Sequence, residues 1–348
     1  MQFGNFLFPH SSGPENDFDV ITEALEEAVL SEKLGFDAVW LGEHHLDGAC
    51  AYVDPITFAG AVAANTKKVT IGFSAVQMAL HHPTRLAEQI SLLDNLSKGR
   101  IILGLGRGTA YNFYEYRAYG IPFAEAQGRL IESEKILVAA WTNESQFVHN
   151  GRYFNLDMSP LRPRVYRKPH PPLIRALATE ETMLEMAKEG RPFMLVVQSD
   201  DETVRRFRLY QETMKDHSYS QDRIKTNLRS CWVWRNIIVA ETDERAKSLA
   251  LPAFEASTEL VRHAREYLNT KEEFESVRKG LSNPRFGIDH SLMYGSPATI
   301  RSRIQRLEEA SVGGLILHFR VGTLSKQHNE ESLELFANEV MPGFRRNL

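Results

Sequence analysis

Gly35–His45 reads GFDAVWLGEHH: Gly35 can end a helix, Ala38–Glu43 forms a short β-rich run, and two histidines stand at its end. Short β-rich runs alternate with helical patterns along all 348 residues. The eight runs are Phe3–Phe8, Ala38–Glu43, Val69–Val76, Arg100–Leu105, Pro172–Leu177, Phe193–Val197, Cys231–Ala240 and Gly314–Phe319. Several are almost wholly apolar, as in parallel strands covered on both faces. Eight strands, each followed by a helix, predict an α/β fold, a closed (β/α)₈ TIM barrel, rather than an open doubly wound sheet of about five or six strands.

Two connections are too long for single helices. Between the fourth and fifth runs, a helical pattern is followed by Phe147–Leu156, where Asn150-Gly151 favours a small hairpin. After the seventh run, residues 243–290 are charged, helical in pattern, and end in Gly280–Gly287. We expect one domain over residues 1–348, with insertions after strands 4 and 7 and the second insertion extending over the barrel mouth as a lid. A solvated helical hairpin without a catalytic part is the alternative for that second insertion.

Composition narrows the class of protein. The chain has 41 basic and 45 acidic residues, a formal net charge of −4, and no basic block, so we expect neither a nucleic acid nor a membrane as partner. A hydrophobic content of 43% excludes a disordered chain. Cys50 and Cys231 are too few for a disulfide framework, and no signal peptide or membrane segment is evident, so a cytoplasmic protein with a small-molecule partner is expected.

Barrel enzymes carry their reactive groups where strands end and turn into helices. His44 follows the second strand, and an imidazole there can act as a general base or as a hydrogen-bond donor near neutral pH. Because neighbours along an extended strand point to opposite sides, His44 and His45 are poorly placed to bind one metal ion together. We therefore predict no metal site. A histidine that only satisfies a backbone group at the rim is the alternative.

The fourth and fifth strands end in groups suited to an anion. Gly106-Arg107-Gly108 offers close backbone approach and a planar guanidinium, but it lacks the third glycine and the immediate helix of a dinucleotide fingerprint. The aromatic residues that follow are assigned to packing, except Tyr111. Thr179 and Thr182 open the next helix and could share a phosphate with Arg107, although an ordinary helix cap explains them equally well.

These residues together resemble the bacterial luciferase-like flavin monooxygenases, and most closely the luciferase α subunit branch. The resemblance rests on Phe3–Leu7, on Gly35–His45, on Leu92–Arg100 (LLDNLSKGR) and on the strand that ends in Arg107-Gly108. It continues to Val340-Met341-Pro342 and so covers nearly the whole chain. The Glu-His-His strand end and the Leu-Asp-x-Leu-Ser-x-Gly-Arg helix end are specific in combination.

The resemblance implies a two-component monooxygenase. Such an enzyme receives reduced FMN from a separate NAD(P)H-dependent flavin reductase and uses O₂ to oxygenate a small organic substrate through a flavin C4a-hydroperoxide. His44 matches the family's catalytic histidine, Arg107 its flavin-phosphate arginine, and Ser74-Ala75 the strand in which a non-prolyl cis peptide lies against the flavin ring. The expected cofactor-binding residues are Ser74, Ala75, Arg107, Tyr111, Ala178, Thr179 and Thr182, of which the last three lie on the family's phosphate loop.

Three positions depart from the luciferase α pattern. Gly106 stands where those chains carry a reactive cysteine, Val197 where they have a tryptophan near the flavin, and Ala178 where they have a phosphate-loop glutamate. These departures count against light emission and against specificity for long-chain aldehydes. They do not specifically count against flavin-dependent oxygenation.

Two other functions stay open. A deazaflavin-dependent oxidoreductase of the same fold would transfer hydride without oxygen, and a non-catalytic flavin-binding partner subunit would keep the fold without the chemistry. The resemblance also implies a homodimer or homo-oligomer formed through helices near Glu88 and Gln89, where Leu86, Ile90 and Leu93 could equally be barrel packing. Aromatic residues around the mouth, Phe8 among them, suggest an apolar substrate.

Overall fold

The structure, a computed structural model, describes residues 1–281 and 287–345. Within that part of the chain lie twelve strands: β1 (Gln2–Leu7), β2 (Ala38–Leu41), β3 (Thr70–Phe73), β4 (Val76–Gln77), β5 (Ile101–Gly106), β6 (Phe147–Asn150), β7 (Asn155–Met158), β8 (Leu173–Leu177), β9 (Phe193–Leu195), β10 (Trp232–Val239), β11 (Leu292–Gly295) and β12 (Gly314–His318). Eight of them pair in parallel in the order β1, β2, β3, β5, β8, β9, β10 and β12, and β12 pairs back with β1. The predicted TIM barrel is therefore confirmed, with one barrel strand in each predicted run.

Helices cover the outside of the barrel. They are α1 (Asp17–Leu34), α2 (Pro55–Asn65), α3 (Pro83–Ser97), α4 (Phe113–Ala118), α5 (Ala126–Thr142), α6 (Glu180–Lys188), α7 (Asp200–Asp216), α8 (Gln221–Arg229), α9 (Asp243–Leu268), α10 (Lys271–Leu281), α11 (Ile288–Ser291), α12 (Pro297–Glu309) and α13 (Lys326–Leu335). Gly35 follows α1 in a left-handed conformation with φ of 83°, which lets the chain turn directly into β2. Every described helix is too short or too polar to span a bilayer.

Tryptophans fill the base of the barrel. Trp40 of β2 and Trp232 of β10 are buried, with their rings 4.9 Å apart. A Cβ at Gly4 or Gly72 would overlap Trp40, and one at Gly314 would overlap Trp232. Glycines on neighbouring strands therefore make the space for two large rings, so the barrel has a packed base and the opposite end is left for chemistry.

The insertion after β5 contains the predicted hairpin. β6 and β7 pair antiparallel, with Phe147 opposite Met158 and Asn150 opposite Asn155. The turn is longer than the sequence suggests, because four residues separate the strands and the Gly151 amide donates to the Phe154 carbonyl.

The insertion after β10 is helical, as predicted, and consists of α9 and α10 before the chain returns through α11. Residues 282–286, inside the predicted Gly280–Gly287 ending, lie outside the described residues. β11 is a correction, because no strand was predicted at Leu292–Gly295. β10 runs for eight residues beside the three-residue β9, and β11 pairs with the far half of β10 in parallel from Asn236 to Val239. The long strand has a free edge, and β11 covers it.

Candidate active site

Neighbouring strand ends bring the predicted residues to one rim of the barrel. In the parallel register, Leu41 of β2 lies beside Phe73 of β3, and Leu105 of β5 lies beside Arg175 of β8. His44 therefore follows β2 at the same rim where Ser74-Ala75 follow β3. Arg107 and Ala178 follow β5 and β8 in the same way. This is the carboxyl end of the strands, where TIM-barrel enzymes place their chemistry.

His44 is held by a carboxylate. Its Nδ1 lies 3.1 Å from Oε1 of Glu115, its ring meets the edge of Phe8 at 5.5 Å between centroids, and 26% of its side chain is exposed. Burial disfavours the charged imidazole, but the Glu115 carboxylate outweighs it, so the pKa of His44 is raised above its ordinary value. A carboxylate at Nδ1 requires a proton there, and Nε2 has no hydrogen-bond partner among the described residues. His44 is thus arranged to hold or release a proton at Nε2.

Glu115 lies on α4, within the aromatic stretch after β5, and is fully buried. Besides His44, its Oε1 accepts from the His45 amide at 2.9 Å, and its Oε2 accepts from Nε2 of Gln77 at 3.0 Å. Burial alone would raise the pKa of Glu115, but His44 and these hydrogen bonds lower it overall. Glu115 is therefore a fixed carboxylate that orients His44.

His45 points away from His44 and binds a different carboxylate. Its Nε2 lies 2.9 Å from Oε1 of Glu43, and Nε2 of His81 lies 2.8 Å from the same oxygen. The backbone amide of Gln77 donates to Oε2 of Glu43 at 2.6 Å. Burial would raise the pKa of Glu43, but His81 and His45 lower it to about 2. The divergence of the two neighbouring imidazoles agrees with the alternation along the strand.

One group of possible metal ligands lies among the described residues. Ligand atoms of His44, Asp47 and Glu115 are all within 4.8 Å of one another. His44 and Glu115 are already bonded to each other, and Asp47 accepts from the Tyr114 hydroxyl at 2.7 Å. The absence of a metal site stays a prediction.

Small residues line the rim between β3 and β5. The peptide bond between Ser74 and Ala75 is cis, as the resemblance implies. A Cβ on Gly106 would lie 3.1 Å from Cβ of Ala75, closer than ordinary contacts. The backbone at Ser74, Ala75 and Gly106 can therefore be approached closely by a flat ligand.

Arg107 and two threonines form the anion-binding candidate. The Arg107 guanidinium lies 5.3 Å from the centre of the Phe123 ring, and no acidic group of the described residues forms an ion pair with it. Thr179 caps α6, with its hydroxyl 3.4 Å from the Thr182 amide and 3.0 Å from the Thr182 hydroxyl. The register places the two strand ends side by side, and neither threonine is hydrogen-bonded to the guanidinium. Ala178 is exposed beside them.

The rim formed by β1, β10 and β12 is aromatic. Phe6 stacks on Phe8 at 5.3 Å and meets Trp234 edge-on at 5.7 Å. His318 lies against these rings, and its Nδ1 is 2.9 Å from Oδ1 of Asn236. Burial lowers the pKa of His318 to about 4, so its ring is neutral at neutral pH.

The end of α9 docks on the segment that follows Arg107. Asn269 donates to the Tyr111 carbonyl at 2.9 Å. The Arg265 guanidinium lies 5.1 Å from the centre of the Tyr111 ring, and its Nε donates to Oδ1 of Asn112 at 3.0 Å. Nδ2 of Asn112 lies 3.2 Å from Nδ1 of His44. The insertion after β10 therefore reaches the surroundings of His44.

Sequence reasoning missed the polar residues around His44. Asn112 and Glu115 lie among aromatic residues that, apart from Tyr111, are assigned to packing, and His318 ends a strand that is otherwise apolar. A buried polar residue within an apolar or aromatic stretch needs a partner, and this is the signal that could have revealed them. Arg265 gave no such signal, because it lies on a charged helix.

A profile of luciferase-like monooxygenases matches residues 1–313 of the chain. Two uncharacterized proteins of Sinorhizobium fredii are 29% and 32% identical over 58% and 67% of this chain, and the chain spans only 56% and 66% of their length. Limonene 1,2-monooxygenase of Rhodococcus erythropolis is 25% identical over the whole chain and 88% of its own length.

Solved structures share the fold over their full length. Monooxygenase RslO1 of Streptomyces bottropensis has a TM-score of 0.80 at 24% identity, covering 99% of this chain and 100% of its own. The oxygenating constituent of 3,6-diketocamphane monooxygenase of Pseudomonas putida, in complex with FMN, has a TM-score of 0.77 at 21% identity, covering 98% of each chain. An F420-dependent secondary alcohol dehydrogenase reaches 0.74 at 19% identity, covering 99% of each chain.

Proposed function

The chain belongs to the luciferase-like monooxygenase family, and from this premise we propose that it is a two-component flavin monooxygenase that transfers one oxygen atom of O₂ to a small organic substrate. In this proposal a separate NAD(P)H-dependent flavin reductase supplies reduced FMN. The observation that carries the proposal is the pairing of His44 with Glu115 at the same rim as Arg107, a cation that has no acidic partner among the described residues.

The residues at the ends of β5 and β8 fit the phosphate of FMN. A guanidinium can donate two parallel hydrogen bonds to a phosphate, and the hydroxyls and amides at the start of α6 add further donors. Arg107, Thr179 and Thr182 would hold the phosphate, with the Ala178 backbone beside them. We assign Tyr111 to the same cofactor site.

The residues at the ends of β3 and β5 fit the flat ring of FMN. Ser74, Ala75 and Gly106 keep side chains small there, so a ring could lie against the backbone. Reduced FMN would supply the electrons with which O₂ is split, so that one oxygen atom enters the substrate and the other leaves as water. The protein would orient the substrate, exclude water and supply a proton.

His44 would be the proton donor. Its raised pKa favours the imidazolium, Glu115 fixes Nδ1–H, and Nε2 is open to a reacting oxygen. We also propose that α9 and α10, the described helices of the insertion after β10, cover the mouth, because α9 is anchored beside His44 through Asn112.

We further propose a homodimer that includes α3. Leu86, Ile90 and Leu93 are buried against the barrel, whereas Leu92 and Leu96 are 52% and 59% exposed. Burial of the first three residues favours their interpretation as barrel packing. The two exposed leucines give the outer face of α3 an apolar strip that a second copy could cover. Analytical ultracentrifugation of Leu92→Glu/Leu96→Glu against wild type measures this, with dissociation to monomer as the expected result.

The decisive experiment titrates the purified protein with FMN in both redox states, with riboflavin, and with a deazaflavin. Preferential binding of reduced FMN supports the proposal, and preferential binding of the deazaflavin supports a hydride-transferring oxidoreductase instead. A substrate screen with ¹⁸O₂, FMN and a purified flavin reductase then looks for one labelled oxygen atom in the product. Binding of flavin without any labelled product or substrate-dependent oxygen consumption would leave the non-catalytic partner subunit as the function.

A further inference from the structure

Arg265 is a cation near His44 that the proposed chemistry does not use. It lies on α9 and is half-buried, with its guanidinium over the Tyr111 ring at 5.1 Å. Its Nε donates to Oδ1 of Asn112 at 3.0 Å, and Nδ2 of Asn112 lies 3.2 Å from Nδ1 of His44. One amide therefore separates this guanidinium from the proton donor.

The guanidinium lacks an anionic partner. No carboxylate of the described residues lies within 4.0 Å of the Arg265 guanidinium. Its Nη1 and Nη2 atoms have no hydrogen-bond acceptor among those residues. The acidic groups that face it are committed elsewhere: Asp47 accepts from the Tyr114 hydroxyl and the Ala49 amide, and Glu115 from His44, His45 and Gln77. An arginine carries five N–H donors, so several remain for an acceptor that a ligand supplies.

The hydrogen bonds of Arg265 lead away from the residues that are proposed to hold the phosphate. Arg107 and Thr179 lie at the ends of β5 and β8, whereas Arg265 is connected through Asn112 to His44, at the end of β2. The ring of Phe8 lies 5.5 Å from the ring of His44 and provides apolar surface beside that histidine. A ligand that contacts both the guanidinium and the apolar surface would have a carboxylate and an apolar body.

We propose that Arg265 binds the carboxylate of the organic substrate, so that this enzyme oxygenates apolar acids rather than uncharged compounds. The inference deepens the proposed function and rests on it, because it places the substrate next to His44. A planar guanidinium binds a carboxylate through two parallel hydrogen bonds, which gives selectivity against an ester of the same shape.

The test measures binding of four matched pairs of acid and methyl ester: decanoate, phenylacetate, 2-naphthoate and a cyclic monoterpenoid acid. Calorimetry is done on the FMN-saturated protein. For wild type we expect at least one acid to bind about 10-fold more tightly than its ester. In Arg265→Gln the Kd of that acid should rise about 10- to 100-fold while the Kd of the ester stays within about twofold. Arg265→Lys should restore part of the preference.

Arg262→Gln is the matched control, because Arg262 lies one turn earlier on α9, exposed and paired with Glu259 and Glu266. The proposal is wrong if wild type prefers no acid, or if the preference survives in Arg265→Gln. It is also wrong if Arg265→Gln weakens binding of FMN but not of riboflavin, since Arg265 would then contact the phosphate. Failure of the proposed function is a separate result, seen as wild-type protein that binds no flavin.

Discussion

Two sides of the barrel mouth each present a histidine, and the two histidines have opposite properties. On the side of β2, His44 lies against the Glu115 carboxylate and its pKa is raised. On the side of β12, His318 lies among aromatic rings with an amide, Asn236, as its partner, and its pKa is lowered to about 4. Burial acts on both rings in the same direction, so the partner decides the outcome.

We propose that this difference gives the two sides of the mouth different functions. A carboxylate partner keeps a proton available near neutral pH, which suits acid catalysis. Without a carboxylate partner, burial keeps the imidazole of His318 neutral, which suits a wall that binds an apolar ligand without attracting anions or water. A barrel rim can thus obtain a reactive and an inert surface from the same residue type.

Replacement of His44 should have the largest effect. In His44→Ala we expect kcat for oxygenation to fall about 100- to 10,000-fold, because the proton donor is lost, while the Kd of reduced FMN stays within about twofold. Product formation coupled to a flavin reductase measures this. The control is His217→Ala, an exposed histidine at the end of α7. Full activity in His44→Ala would refute the assignment.

Replacement of His318 should change the pH dependence of stability. Between pH 6.5 and about 4 the unfolded chain protonates this histidine and the folded protein does not, so its contribution to stability falls as the pH falls, by up to about 3 kcal/mol. His318→Asn should remove that slope, measured by urea unfolding at several pH values from 7 to 4. An identical slope in the variant would mean that His318 is not the group responsible.

His44 should contribute with the opposite sign, which sharpens the comparison. Its folded pKa is raised, so its stabilisation is present below its ordinary pKa of 6.5 and is lost as the pH rises through the folded value. The same unfolding series, extended from pH 6 to 9, should show this loss in wild type and not in His44→Ala. A series in which both histidines act in the same direction would remove the basis of the comparison.

The side of the mouth at β2 and β5 was the more predictable from sequence. His44 and Arg107 could be identified because charged side chains stand directly after apolar strand runs, where a parallel barrel collects them. Glu115 could not be paired with His44, because the two are 71 positions apart and meet only where α4 contacts the segment that follows β2. The sequence pattern around each strand predicts which residues lie at the rim. It does not predict which distant residue contacts them and sets their protonation state.

The other side shows the same limit more strongly. The apolar run Gly314–Phe319 predicted the strand β12, but β11 was not predicted, since its pairing depends on the length of the neighbouring β10 and not on its own sequence. Asn236 and His318 are 82 positions apart and meet only because β10 and β12 are adjacent in the closed sheet. Strands follow from composition, whereas contacts between them follow from barrel closure.

Replacement of Arg107 should test whether the cofactor lies on the side of the mouth at β2 and β5. In Arg107→Ala we expect the Kd of reduced FMN to rise about 10- to 100-fold, because a charged hydrogen-bond donor to the phosphate is lost. Binding of riboflavin, which has no phosphate, should not change. Arg85→Ala is the control, since Arg85 is exposed and paired with Glu88. Equal weakening of both flavins would argue that Arg107 supports the rim and does not bind phosphate.

Replacement of Glu115 by glutamine should lower the pKa of His44, so that His44 becomes more like His318. Glutamine keeps an oxygen for the His45 amide but removes the charge that raises the pKa of His44, so burial then dominates and the pKa falls. The alkaline limb of kcat should move to lower pH, with kcat above pH 7 reduced by about 10-fold and the Kd of FMN unchanged. Reductase-coupled turnover from pH 6 to 9 measures the limb. A purely structural role for Glu115 would lower the melting temperature or raise KM and leave the limb where it is, because only the loss of a negative charge beside Nδ1 changes the pH at which His44 gives up its proton.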